Sequence, residues 1–201
     1  MNIPSLTNIL LGKQYIGIEH FSLNSEEKIA VLLVEKKKGE LLIIKKDKVS
    51  YSEILPEKWD KKLPFFLVVN TNQVIHKEVV GIETSDEKLL NKAFPNTNWD
   101  EFYFEIWRLK EKSLIAISRK IYINELLFNY KRQGVSIAGI SLGVCSISEI
   151  TKYSDERELL TNNQTVSWSD EATIVRSNSG DINTTHTINE LSIQNCHLLV
   201  F

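Results

Sequence analysis

The order in which β-rich runs and amphipathic stretches follow one another constrains this chain more than any single motif does. Residues 14–21 read as a short strand with few charges. Residues 29–35 and 40–46 are β-rich runs on either side of Lys36-Lys37-Lys38-Gly39, the pattern of a hairpin. Residues 51–62 read as irregular or partly helical, and Leu63-Pro64 leads into the compact apolar run 65–70. Residues 73–80 are expected as its antiparallel partner, with Asn70 to Asn72 supplying turn chemistry. Thr84 followed three residues later by Glu87 has the form of a capping box. The helix it opens carries Leu89, Leu90, Ala93 and Phe94 on one side and ends at Pro95. Residues 101–109 and 113–119 form a further hairpin through 110–112. Ile123, Leu126, Leu127 and Tyr130 then stand at i, i+3, i+4 and i+7, and Gly134 suits the position just past a helix end. Residues 135–142 return as a strand. An antiparallel three-stranded start that later acquires helices predicts an α/β protein with a mixed sheet, not a doubly wound one.

The chain changes character after Lys152, its last lysine. From Tyr153 onward Arg157 and Arg176 are the only cations, against Asp155, Glu156, Glu158, Asp170, Glu171, Asp181 and Glu190. Weak strands are expected here at 164–168, 173–177, 185–191 and 196–201, and a boundary falls near residue 150. With 42% hydrophobic and 25% charged residues in 201, the composition is that of a globular protein, which excludes global disorder. The formal net charge of -2 gives no reason to expect nucleic acid or an anionic membrane surface as partner. Ile9 to Leu11 is too short an apolar patch for a signal peptide or a membrane span. No membrane insertion is therefore expected within residues 1–201, and a cytoplasmic location follows.

No catalytic constellation emerges. Cys145 and Cys196 lack metal-ligand spacing and are expected as reduced, buried or half-buried thiols. The four histidines are scattered, and His76 reads as a mid-strand surface or half-buried residue. There is no Gly-x-Ser-x-Gly elbow, and the Walker and dinucleotide patterns are absent. Asp155, Glu156 and Glu158 read as a solvated acidic face. Around the second hairpin, Phe102, Phe104 and Ile106 share one strand face, suited to a core. Tyr103 and Trp107 share the other, which makes them candidate partner-binding residues.

Three stretches carry a resemblance to a known family. They are Tyr15-Ile-Gly-Ile-Glu-His-Phe with the hairpin after it, Phe65-Phe-Leu-Val-Val-Asn followed by Val74-Ile-His-Lys-Glu-Val, and Glu101-Phe-Tyr-Phe-Glu through Gln133-Gly-Val-Ser-Ile-Ala-Gly-Ile-Ser-Leu. In order and spacing, residues 14–143 resemble the actin-like assembly proteins of type IV pilus and type II secretion systems, the PilM and GspL group. The resemblance implies an actin-like, ribonuclease H-like fold. Its opening strands would lie in residues 1–64 and an inserted α+β subdomain in 65–134. A return strand with an incomplete second half would occupy 135–201. Active members end the first strand in Asp-x-Gly-Ser/Thr, whose glycine admits the phosphates and whose acid helps hold hydrated Mg²⁺. Aligned on that strand, this chain has Glu19-His20-Phe21-Ser22, so Glu19 and Ser22 keep the acid and hydroxyl while Phe21 replaces the glycine. The second Asp-x-Gly motif has no counterpart; Asn178-Ser-Gly-Asp181 reads as a hairpin turn.

The expectation is therefore no cofactor and no enzymatic activity, the alternatives being an actin-like ATPase or kinase that binds ATP–Mg²⁺ at a divergent site and an unrelated α/β protein-binding module. The implied role is a scaffold binding protein partners of an inner-membrane assembly platform, with a homodimer allowed. The short second half suggests a piece of a longer protein, with a tether to the inner membrane through partners or through sequence beyond residue 201.

Overall fold

A tight hairpin opens the fold. Strands β1 (Gln14–Leu23) and β2 (Glu26–Lys37) pair antiparallel without a break from Gln14↔Glu35 to Leu23↔Glu26. Asn24 and Ser25 close the ladder with φ of 51° and 66°, the left-handed geometry that two-residue hairpin turns require. The computed structural model describes residues 13–37, 40–50, 59–169, 173–177, 184–188 and 191–200. β3 (Glu40–Ser50) continues the ladder from Lys37↔Glu40, with a register shift between Leu33 and Val34; the connecting Lys38 and Gly39 lie outside the described residues.

The later elements are β4 (Phe65–Asn70), β5 (Val74–Val80), α1 (Asp86–Ala93), β6 (Phe102–Arg108), β7 (Lys112–Arg119), α2 (Lys120–Arg132), β8 (Ile137–Leu142) and α3 (Ile147–Ile150). After these come β9 (Glu158–Leu160), β10 (Gln164–Trp168), β11 (Thr173–Ser177), β12 (Thr185–Ile188), β13 (Leu191–Gln194) and a 3₁₀ segment, Asn195–Val200.

Among the described residues the main sheet has the order β3-β2-β1-β4-β8, with β4 parallel to both β1 and β8. This is the mixed sheet expected above, its antiparallel start followed by two parallel strands. All six residues of β4 are buried, as a central strand covered on both faces must be. Alternation along β1 shows what does the covering. On one face His20 meets Tyr130 of α2, which also turns Ile123 and Leu126 inward. On the other, Gly17 lies against the 3₁₀ segment so closely that a Cβ there would stand 2.2 Å from the Val200 carbonyl oxygen.

A smaller sheet, β5-β7-β6, is antiparallel throughout and lies between β4 and α2 in sequence. Leu89, Leu90 and Ala93 of α1 pack on its Val79, Ile115 and Ile117, with Phe102, Phe104 and Ile106 against them. The chain's acidic end adds a three-stranded sheet, β11-β10-β9, and the hairpin β12-β13.

Three local expectations need correction. Residues 73–80 are not the partner of 65–70: β4 pairs with β1 and β8, whereas β5 pairs with β7. Proximity in sequence suggested a hairpin, but the turn at Thr71 to Gln73 leads out of one sheet and into another. The cap of α1 is Ser85, whose hydroxyl accepts from the Lys88 amide at 3.4 Å, in place of Thr84. The run after residue 195 winds as 3₁₀ and buries Leu198, Leu199 and Val200 consecutively, where a strand would have alternated them. Short apolar runs do not distinguish the two conformations. Gly134 does sit just past α2, at φ 77°, as read from the helical stripe. No helix among the described residues is long and apolar enough to cross a membrane.

Candidate functional site

Glu19 lies just past the middle of β1, fully buried, with both carboxylate oxygens occupied by protein donors. Asn70 Nδ2, at the end of β4, donates to Oε1 at 3.1 Å, and Asn162 Nδ2 donates to Oε2 at 2.8 Å. Strand pairing brings Asn70 into reach, since parallel β4 sets Val68 beside Glu19 and Asn70 beside Phe21. Asn162 arrives from the tight turn between β9 and β10. There the Thr161 amide donates to the Gln164 carbonyl at 2.7 Å, and the Gln164 amide donates to the Thr161 hydroxyl at 3.1 Å.

Asn163, next in that turn, completes the network. Its Nδ2 donates to the carbonyls of Ser22 and Asn70, both at 3.1 Å, and its Oδ1 accepts from Asn70 Nδ2 at 2.9 Å. The Ser22 hydroxyl accepts from the Asn72 amide at 3.1 Å. Glu19 and Ser22 are thus brought together, joined by three asparagines and the Asn72 backbone that the sequence did not single out. An Asn-Asn pair between two short β runs signals only a turn.

Burial pushes the Glu19 carboxyl up to about 7, partly offset by the two amide hydrogen bonds and by the nearby Lys48 ammonium. Phe21 stands in regular strand geometry, opposite Lys28. The hairpin turn comes later, at Asn24 and Ser25, so a phenylalanine in the glycine position costs no backbone strain. Its ring is fully buried, with Lys48 Nζ 5.2 Å from the centroid. The geometry can hold a carboxyl group near neutrality and lock β1, β4 and the β9–β10 turn together. Entry of a hydrated cation at Glu19 would first require displacing two amide donors. No group of three His, Cys, Asp or Glu side chains placed to hold a metal occurs among the described residues. Residues 178–181, read as a turn, lie outside them.

A second polar cluster ties the small sheet to the main one. Glu105 accepts from the Ser141 hydroxyl at 2.8 Å and from the Leu142 amide at 2.6 Å. Desolvation raises its carboxyl to about 7 against those hydrogen bonds, with the charge of Glu149 adding a little. His76 Nε2 accepts from the Val144 amide at 3.3 Å, which leaves the proton on Nδ1. Gly143, at φ 57°, allows this approach: a Cβ there would stand 1.9 Å from His76 Nε2. The half-buried His76 is held low, at about 4, by desolvation. Cys145 is a buried free thiol, and the Cys196 side chain lies outside the described set.

The candidate partner residues separate. Trp107 is 5% exposed and packs its ring 6.1 Å from that of Trp168, so it belongs to the core where the small sheet meets the acidic half. Tyr103 is half-buried, with its hydroxyl donating to Asn124 Oδ1 at 3.1 Å. Strand alternation grouped the two correctly, but their face is the one turned toward the main sheet and α2. The acidic run is also not simply solvated: Glu156 accepts from His186 Nδ1 at 2.5 Å and from the Thr187 amide at 2.9 Å.

The sheet order β3-β2-β1-β4-β8, with the smaller sheet β5-β7-β6 between β4 and α2 in sequence, defines an actin-like, ribonuclease H-like α/β fold. The cytoplasmic domain of EpsL, an inner-membrane component of the type II secretion system of Vibrio cholerae, shares it. The superposition reaches a TM-score of 0.54 at 12% identity and covers 82% of this chain and 71% of that one. A Bacteroides thetaiotaomicron protein described as having an actin-like ATPase fold and unknown function overlaps at 7% identity, over 88% of this chain and 70% of its own. Its TM-score is 0.38. No family model and no curated protein matches the chain.

Proposed function

We propose that this chain is a non-catalytic scaffold: a subunit of a pilus-assembly or type II secretion-like platform at the inner membrane that works by binding partner proteins. One observation carries the loss of catalysis. Both oxygens of Glu19 are engaged by Asn70 and Asn162, and Asn163 ties down the Ser22 backbone, so the positions aligned with a phosphate strand hold a protein turn. The shared fold with the EpsL cytoplasmic domain supports the platform assignment as an analogy of architecture.

Calorimetric titration with ATP–Mg²⁺ tests the first part. The expected outcome is no saturable heat, and micromolar affinity would overturn it. Persistence of an acid at position 19 leaves one competing reading, an actin-like ATPase whose β9–β10 turn swings off Glu19. ATP hydrolysis that disappears on Glu19→Ala would establish that reading instead. The platform assignment is tested by co-purification with inner-membrane assembly proteins from the native host. Recovery of unrelated partners alone would reject it.

A further inference from the structure

The small sheet presents one face to α1, and the cover is incomplete. Cross-strand pairing sets Ile75 beside Ile117 and Ile117 beside Phe104, with Phe102 beside Arg119 at the next position on that face. Helix α1 and Phe94 pack on the part of the face around Val79 and Ile115, and Trp99 packs against Phe102 and Phe104. At the end nearest the β4–β5 turn a hollow of about 190 Å³ remains. Ile75, Ile117 and Phe102 form its apolar side, and Asn72, Gln73 and Arg119 are among its polar lining residues. Ile75, on the edge strand β5 beside this hollow, is 54% exposed.

We propose that this hollow receives the C-terminal residue of an extended partner peptide, its apolar side chain on Ile75 and Ile117 and its free carboxylate on Arg119. The charge argument comes first. Arg119 lies over the Phe102 ring at 5.6 Å, and stacking of this kind leaves the in-plane N–H groups of a guanidinium available to a carboxylate. It forms no ion pair with another described residue, and the lining of the hollow contains no acid. Shape supplies the rest. β5 is an edge strand among the described residues, so an extended chain can run alongside it. Successive side chains of such a chain point to opposite faces, so an internal acid and its apolar neighbour cannot enter one small hollow together. A terminal residue carries both groups on a single Cα.

The inference rests on the scaffold reading, because it assigns that scaffold a partner surface. The test titrates the ¹⁵N-labelled chain with N-acetyl-Gly-Ser-Val-Leu bearing a free carboxylate, and with the same peptide as its C-terminal amide. The expected result is saturable shifts confined to Asn72–Ile75 and Arg119 below about 1 mM peptide, with the amide at least about tenfold weaker. Arg119→Gln, at an exposed position, should cause a similar loss while leaving the spectrum dispersed. Arg119→Lys should fall between the two, because it keeps the charge without the planar fork. Absence of shifts, or equal binding of acid and amide, overturns the proposal. Equal binding of an amidated peptide with an internal glutamate overturns the terminal-carboxylate assignment. ATP–Mg²⁺ added to the same samples separates the two readings: nucleotide shifts would sink the scaffold role, and silent peptides would sink this surface.

Discussion

Asn162 donates to Glu19 across 143 positions of sequence, at 2.8 Å, in a site closed to solvent. That one bond joins the acidic end of the chain to its first strand, and it makes the network sensitive to pH. Burial raises the folded Glu19 to about 7 from an ordinary 4.5, so the folded chain holds a proton that the unfolded chain has released. Stability from this group is complete below about 4.5 and is lost as pH rises toward 7. Glu105, raised for the same reason, adds to the fall. His20 and His76, lowered to about 4 by burial, act oppositely between about 4 and 6.5. Comparing wild type with Glu19→Gln isolates the first contribution. Urea unfolding should show the variant gaining up to about 3 kcal/mol on wild type between pH 4.5 and pH 8. A difference that does not change with pH would refute the assignment.

Gly143→Ala should cost about 2–4 kcal/mol, because it combines a positive φ with a methyl group 1.9 Å from His76 Nε2. Adding His76→Ala should relieve the steric part, making the double variant less destabilised than the sum of the two singles. Denaturation midpoints of the four proteins decide this, and strict additivity would count against the contact.

Gly17→Ala tests how the 3₁₀ segment is held. The added methyl would meet the Val200 backbone, which cannot move aside as the end of a flexible side chain could. We expect hydrogen-exchange protection to drop at Asn195–Val200 more than in α2, which packs on the opposite face of β1. An equal loss in both places would mean that the sheet itself had failed.

Trp107→Ala should destabilise the chain by about 3–5 kcal/mol, since it empties a core position against Trp168. A partner-contact residue would leave stability unchanged and weaken only association. Thermal unfolding of the isolated chain separates these outcomes.

Much of the fold was legible because it rests on local patterns. The hairpins at 14–46 and 101–119 follow from β-rich runs broken by turn residues, and α2 follows from one stripe of four apolar positions closed by Gly134. Position 65–70 was readable as a strand because of its apolar run, but which strands flank it was not. Parallel neighbours are joined through long crossovers, and nothing local encodes them. For the same reason the site was half visible. Glu19 and Ser22 stood out by alignment with a phosphate strand, while Asn70, Asn162 and Asn163 look like ordinary turn residues until the chain is folded.

The amino-acid sequence by itself determined the mixed α/β class, the order of the strands along the chain and the position of helix α2. Each depends on neighbours within a few residues, where propensity and periodicity act. Only the tertiary structure decided that a turn of the acidic half sits against Glu19, that Trp107 faces inward, and that Arg119 stands over Phe102 beside an open hollow. Those outcomes depend on burial and charge between residues far apart in the chain, which no local pattern records.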